Sequence, residues 1–120
     1  MYKIKTTELG DTFVSKEALE TLAGLATIDC YGLVGMVPQN IQSGLTSILG
    51  IESIRKGVIV RPTEDGLIID VHVVIGYGIK ISEVAHNVMQ KVTYVLETNA
   101  GVDVKSVNVN IKGVKVLREN

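Results

Sequence analysis

The sequence predicts an α/β fold: a single domain over 1–120, with a mixed or mostly antiparallel sheet of three to five strands and two principal helices on one face. Three segments carry this reading. Ile81, Val84, Ala85, Val88, Val92, Val95 and Leu96 recur at the i, i+3, i+4 spacing of one helix face. Downstream, Val107, Val109 and Ile111 alternate with Asn108, Asn110 and Lys112, the period of a strand. Upstream, Ile69, Val71, Val73 and Ile75 alternate with Ile68, Asp70, His72 and Val74. One face of that strand is uniformly apolar and the other mixed, as in a sheet covered mainly on one side.

The remaining elements follow in order. Tyr2 to Lys5 reads as a short edge strand. Ser15 is a candidate N-cap, with Ala18, Leu19, Leu22, Ala23 and Ala26 forming a helical stripe behind it and Lys16, Glu17 and Glu20 on the solvent side. This helix is expected to end near Asp29. In Cys30–Met36, Gly32 and Gly35 stand among apolar residues and suggest tight backbone packing or a bend rather than a free loop. Pro38 and Asn40 punctuate the chain. Ile41, Leu45, Ile48 and Leu49 return to helical spacing, with Gly50 as a stop and Gly44 costing about 1 kcal/mol relative to Ala. Gly57–Arg61 and Leu67–Ile75 are strands, joined through Thr63, Glu64, Asp65 and Gly66, whose Asp-Gly pair is a strong hairpin cue. Gly76-Tyr77-Gly78 breaks the second strand. A long helix then spans about Ile79 to Thr98, stopped by Asn99 and Gly101, and the last strand runs from Val104 to Lys112 and past Gly113 through Val114 and Val116.

Composition narrows the function classes. Hydrophobic residues are 46% of the chain, which excludes intrinsic disorder, and aromatics only 4%, so the core is aliphatic. Twelve Lys and Arg against thirteen Asp and Glu leave a formal charge of −1, without the basic excess that phosphate neutralisation or docking on an anionic membrane calls for. Nucleic acid is therefore not an expected partner. Cys30 is the only cysteine, so no intrachain disulfide forms, as suits a reducing compartment. The N-terminal MYKIKTTELGD lacks the apolar h-region of a signal peptide, and no apolar run approaches the roughly 20 residues that span a bilayer. The expected location is the cytoplasm, without direct membrane insertion.

Chemistry-bearing residues are sparse. Gly76-x-Gly78-x-Lys80 lies between a strand and a helix N-terminus, where backbone amides can hold an anion. Ile81 occupies the last glycine position of a dinucleotide fingerprint, and no P-loop Gly-Lys-Ser/Thr exists, so the favoured reading is that the glycines merely turn the chain so that the helix folds back on the sheet. His72 and His86 have no metal-like spacing to other ligands and read as surface or half-buried residues. Cys30 reads as a buried packing thiol. No catalytic residue, metal ligand or cofactor is expected. Lys105, Lys112, Lys115 and Arg118 make the C-terminal strand basic. They either guard an edge strand against aggregation or form a docking strip for an acidic partner, with Lys112 and Lys115 as the candidate interaction edge.

Four blocks in register, CYGLVGM, SGLTSILG with the following RKGVIVR, YGIKISEVAHNVMQKV and VDVKSVNVNIKGVKV, resemble the alkaline-shock, or envelope stress response, family of Gram-positive bacteria, in its small YloU-like branch. The likeness spans about Gly10 to Leu117. It implies a non-enzymatic, self-associating interaction or scaffold protein that acts as a homo-oligomer with protein partners. In some members a separate membrane-anchor protein holds the domain near the membrane. The alternative reading is a small-ligand or anion-binding accessory subunit using the Gly76–Lys80 turn.

Overall fold

The computed structural model describes residues 2–7, 10–38 and 51–116. In chain order the elements are β1 (Tyr2–Thr7), β2 (Gly10–Val14), α1 (Lys16–Ile28), β3 (Leu33–Met36), α2 (Ile51–Lys56), β4 (Val58–Thr63), β5 (Gly66–Gly76), α3 (Ile81–Val95) with a closing π-helical turn (Leu96–Ala100), and β6 (Val104–Lys115). Strands β1 and β2 form an antiparallel hairpin of their own.

The other four strands form one sheet built around β5. β6 runs parallel along one edge of β5, from Leu67 to Gly76. β4 and β3 therefore share the opposite edge end to end, both antiparallel: β4 pairs with Gly66–Val71 and β3 with Val73–Ile75. Between them, the His72 amide donates to Gly57 O at 2.9 Å and the Val37 amide donates to His72 O at 3.1 Å. The sheet is thus mixed, and α3 is the crossover that parallel pairing requires.

The apolar face of β5 is the floor of the core. Leu67, Ile69, Val71, Val73 and Ile75 are all buried on it. Leu19, Ala23 and Ala26 of α1 and Val84, Val88 and Val92 of α3, with Leu96, close over them, joined by Met36, Val58, Val60 and Val107. α1 packs over β3 and β4, and α3 over β6. Among the described residues, the buried side chains of this core are aliphatic or small, with Met36 the one thioether.

Local chemistry sets the element ends. Ser15 Oγ accepts from the Ala18 amide at 3.0 Å and caps α1. Gly24 faces α2, where an added Cβ would collide with the Ile54 side chain, so the two helices approach closely. Gly32, at φ 93°, starts β3 beneath Ile79 and Val84, whose methyl groups lie 2.8 and 2.9 Å from where a Cβ would sit. Cys30–Met36 is accordingly a tight turn followed by a strand.

Several expectations change. The N-terminal strand reaches Thr7, and β2 is an additional element. The helical stripe at Ile41, Leu45, Ile48 and Leu49, with Gly50, lies outside the described residues, whereas the short helix α2 had no periodic signal. β4 continues through Pro62, which pairs opposite Leu67 at the hairpin end, an edge position that tolerates a missing amide donor. The loop is the two residues Glu64 and Asp65, and Thr63 Oγ1 donates to Gly66 O at 2.6 Å and accepts from the Asp65 amide at 3.2 Å. α3 begins at Ile81 rather than Ile79, and the π-helical turn carries it past Thr98 to Ala100.

Val88 and Val92 are wholly buried between α3 and the sheet. Truncating either to Ala should cost about 1–3 kcal/mol, from lost burial plus the cavity left behind. Exposed Gln90→Ala should stay within about 0.5 kcal/mol of wild type. Urea denaturation should rank the variants in that order.

Candidate functional site

The parallel pairing of β5 with β6 brings the two sequence-predicted sites to one end of the sheet. Gly76 is the register partner of Lys115, and the Tyr77 amide donates to Lys115 O at 2.8 Å. The turn holding Gly76, Gly78 and Lys80 therefore sits against the end of the strand holding Lys112 and Lys115. The Gly76 amide also donates to Gly32 O at 3.0 Å, which ties in the chain after α1. A groove of about 280 Å³ opens there, lined by Tyr31, Gly78, Lys80, Glu83 and Asn87 among others. It holds one cation and one carboxylate, so Lys80 does not make it a purely anion-attracting pocket. Lys80 is the N-cap residue of α3, and its side chain makes no capping bond.

The register of β6 gives its lysines a second meaning. Val104 pairs with Leu67 but Ser106 with Ile68; Ile111 pairs with Val73 but Gly113 with Val74. β6 thus carries one extra residue at each shift, and both are lysines, Lys105 and Lys112. Bulges and lysines are each ways of blocking strand addition at a sheet edge. Lys105 reaches Asp65 at 3.8 Å. Among the described residues, neither Lys112 nor Lys115 has a carboxylate partner. Arg118 lies outside the described residues. Beside these lysines Val114 and Val116 are 51% and 60% exposed.

The face of the sheet away from the helices is mixed. Arg61 Nε donates to Asp70 Oδ2 at 2.9 Å, Asn108 Nδ2 to Asp70 Oδ1 at 2.8 Å, and Asn110 Nδ2 to Val71 O at 3.2 Å, which links β4, β5 and β6. Burial disfavours the charged form of Asp70, but the hydrogen bonds from Asn108 and Arg61 and the Arg61 charge outweigh it and hold the carboxyl below its ordinary value. His72 corrects the surface or half-buried reading: it is 4% exposed, with Nδ1 3.1 Å from Gly57 O. The mixed polarity of its strand face concealed this, because the carbonyl that satisfies the ring comes from fifteen residues upstream. His86 is exposed on α3. Cys30 is half-buried rather than buried, and Sγ donates to Ala26 O at 3.5 Å.

Among the described residues, no three His, Cys, Asp or Glu side chains gather as metal ligands, and no helix is long and apolar enough to cross a membrane. Tyr31, Tyr77 and Tyr94 are 80%, 73% and 67% exposed.

The model of the alkaline shock protein 23 family, described as having a cell envelope-related function, matches residues 4–116. The chain belongs to this family. Among curated proteins, this alkaline-shock family chain is 45% identical over 111 residues to the uncharacterized protein YloU of Bacillus subtilis, covering 92% of each. It is 36% identical to the uncharacterized protein Spy1614 of Streptococcus pyogenes, covering 89% of each, and 29% identical to the uncharacterized protein YqhY of Bacillus subtilis, covering 91% of this chain and 80% of that one. No solved structure gives a significant match.

Two titrations check the site chemistry. The folded-state pKa of Asp70 is depressed, so its stabilising contribution is present above the unfolded carboxyl value of about 3.9 and is lost as pH falls through the lower folded value. Urea melts across this acid range should show wild type losing stability relative to Asp70→Asn as pH drops below about 4; parallel curves would remove the Arg61–Asp70–Asn108 account. Burial pushes the Cys30 thiol up, against the lowering field of Lys91 and with a further rise from Asp29. At pH 8 a thiol reagent should label the native protein more slowly than a free small thiol, and an equal rate would contradict that environment.

Proposed function

We propose that this alkaline-shock family protein is a non-enzymatic interaction or scaffold protein, working through self-association and protein partners. The observation that carries this reading is the exposure of Tyr31, Tyr77 and Tyr94 in a chain with only five aromatic residues. A buried aromatic side chain would contribute more apolar area than any aliphatic one, yet these rings lie outside an aliphatic core. Exposed tyrosines of this kind are characteristic of contact surfaces. The family's cell envelope-related function gives the setting. We place the protein in the cytoplasm, brought near the membrane by a partner such as a membrane-anchor protein.

A small-ligand or anion-binding accessory role at Gly76, Gly78 and Lys80 is the second reading. The groove beside the turn supports it, and Glu83 within that groove weighs against an anion.

Multi-angle light scattering on the purified chain should show dimers or larger species at micromolar concentration, with Lys112→Glu or Lys115→Glu shifting the distribution. A strict monomer up to millimolar concentration, together with a metabolite that co-purifies at the groove, would replace the scaffold reading with the ligand-binding one.

A further inference from the structure

We infer that the end of the sheet formed by Tyr77, Lys80, Lys112, Val114, Lys115 and Val116 is a docking surface for an acidic segment of a protein partner. The inference rests on the interaction-protein reading and names the chemistry of the partner. Three observations lead to it. The turn and the strand end are held together by the Tyr77–Lys115 backbone bond and the Gly76–Lys115 register, so both lie at one end of the sheet. Lys112 and Lys115 have no carboxylate partner among the described residues. Tyr77, Val114 and Val116 are each more than half exposed and supply apolar area at the same end of the sheet.

Charge complementarity selects the occupant. Unpaired lysines around an apolar strip fit a segment that alternates carboxylates with apolar side chains, with pairing of opposite charges steering the encounter. An anionic lipid surface fits less well. Polybasic lipid sites carry about 4–8 clustered cations, whereas this patch has three, with Glu83 in the adjoining groove. The bulges at Lys105 and Lys112 interrupt the regular edge, so the segment docks through side chains rather than as an added strand.

The test is an NMR titration of the full chain with two synthetic peptides of one apolar pattern, one with glutamates at the polar positions and one with lysines. The glutamate peptide should move the amide resonances of Tyr77 and of residues 112–116. Its binding should weaken as salt is raised and fall at least about tenfold in the Lys112→Glu, Lys115→Glu double variant. Tyr77→Ser should also weaken it, and thermal melts of both variants should match wild type. Equal shifts from both peptides, shifts confined to other surfaces, or undiminished binding by the folded double variant would overturn the proposal. So would binding to phosphatidylserine vesicles without binding to the glutamate peptide. Light scattering on the same samples separates the readings: a monomer that binds the glutamate peptide retains this surface and loses only self-association.

Discussion

The apolar face of β5 is the constraint on which the rest of the molecule depends. Leu67, Ile69, Val71, Val73 and Ile75 must be taken out of water together, because alternation places them on one side of a single strand. Each fully buried aliphatic side chain is worth about 1.5–3 kcal/mol, and among the described residues no other single element buries as many of them. Covering them takes both α1 and α3, and satisfying the backbone of so long a strand takes β3, β4 and β6. The need to place a parallel strand beside β5 in turn forces the crossover through α3 and delivers the end of β6 to the turn after β5.

That geometry divides the chemistry of the chain. Inside are branched aliphatic residues, a buried threonine bonded to its own helix backbone and a histidine satisfied by a backbone carbonyl. Outside are Tyr31, Tyr77 and Tyr94, the lysines of β6 and the ion pair and amide cluster around Asp70. The interior holds the fold, and the groups able to recognise another molecule lie on the surface. The family to which the chain belongs has a cell envelope-related function.

Much of this could be read from residue spacing. The period-two run of β5 and the helical stripe of α3 were legible because each has one uniformly apolar face opposite a mixed or polar one, so polarity marks the period. Ser15 marked the start of α1 by its capping chemistry. Other features resisted for identifiable reasons. Gly10–Val14 is short and mixes Asp and Thr with apolar residues, leaving little signal for β2. The burial of His72 depends on Gly57, and the packing of Gly32 depends on Ile79 and Val84, contacts that exist only after the sheet and α3 have assembled. Lys112 and Lys80 were each visible as candidate binding residues. That the turn before Lys80 and the end of β6 lie at one end of the sheet follows from the β5–β6 register and the Tyr77–Lys115 backbone bond.

Native-state hydrogen exchange, read residue by residue, addresses the organising role of β5 most directly. The account predicts that amides of Leu67–Ile75 and of the buried stripe of α3 exchange only through global unfolding, as one cooperative unit, while amides of the β1–β2 hairpin open at lower free energy. Exchange from β5 as fast as from that hairpin, with α3 still protected, would contradict the claim that the fold is built on this strand.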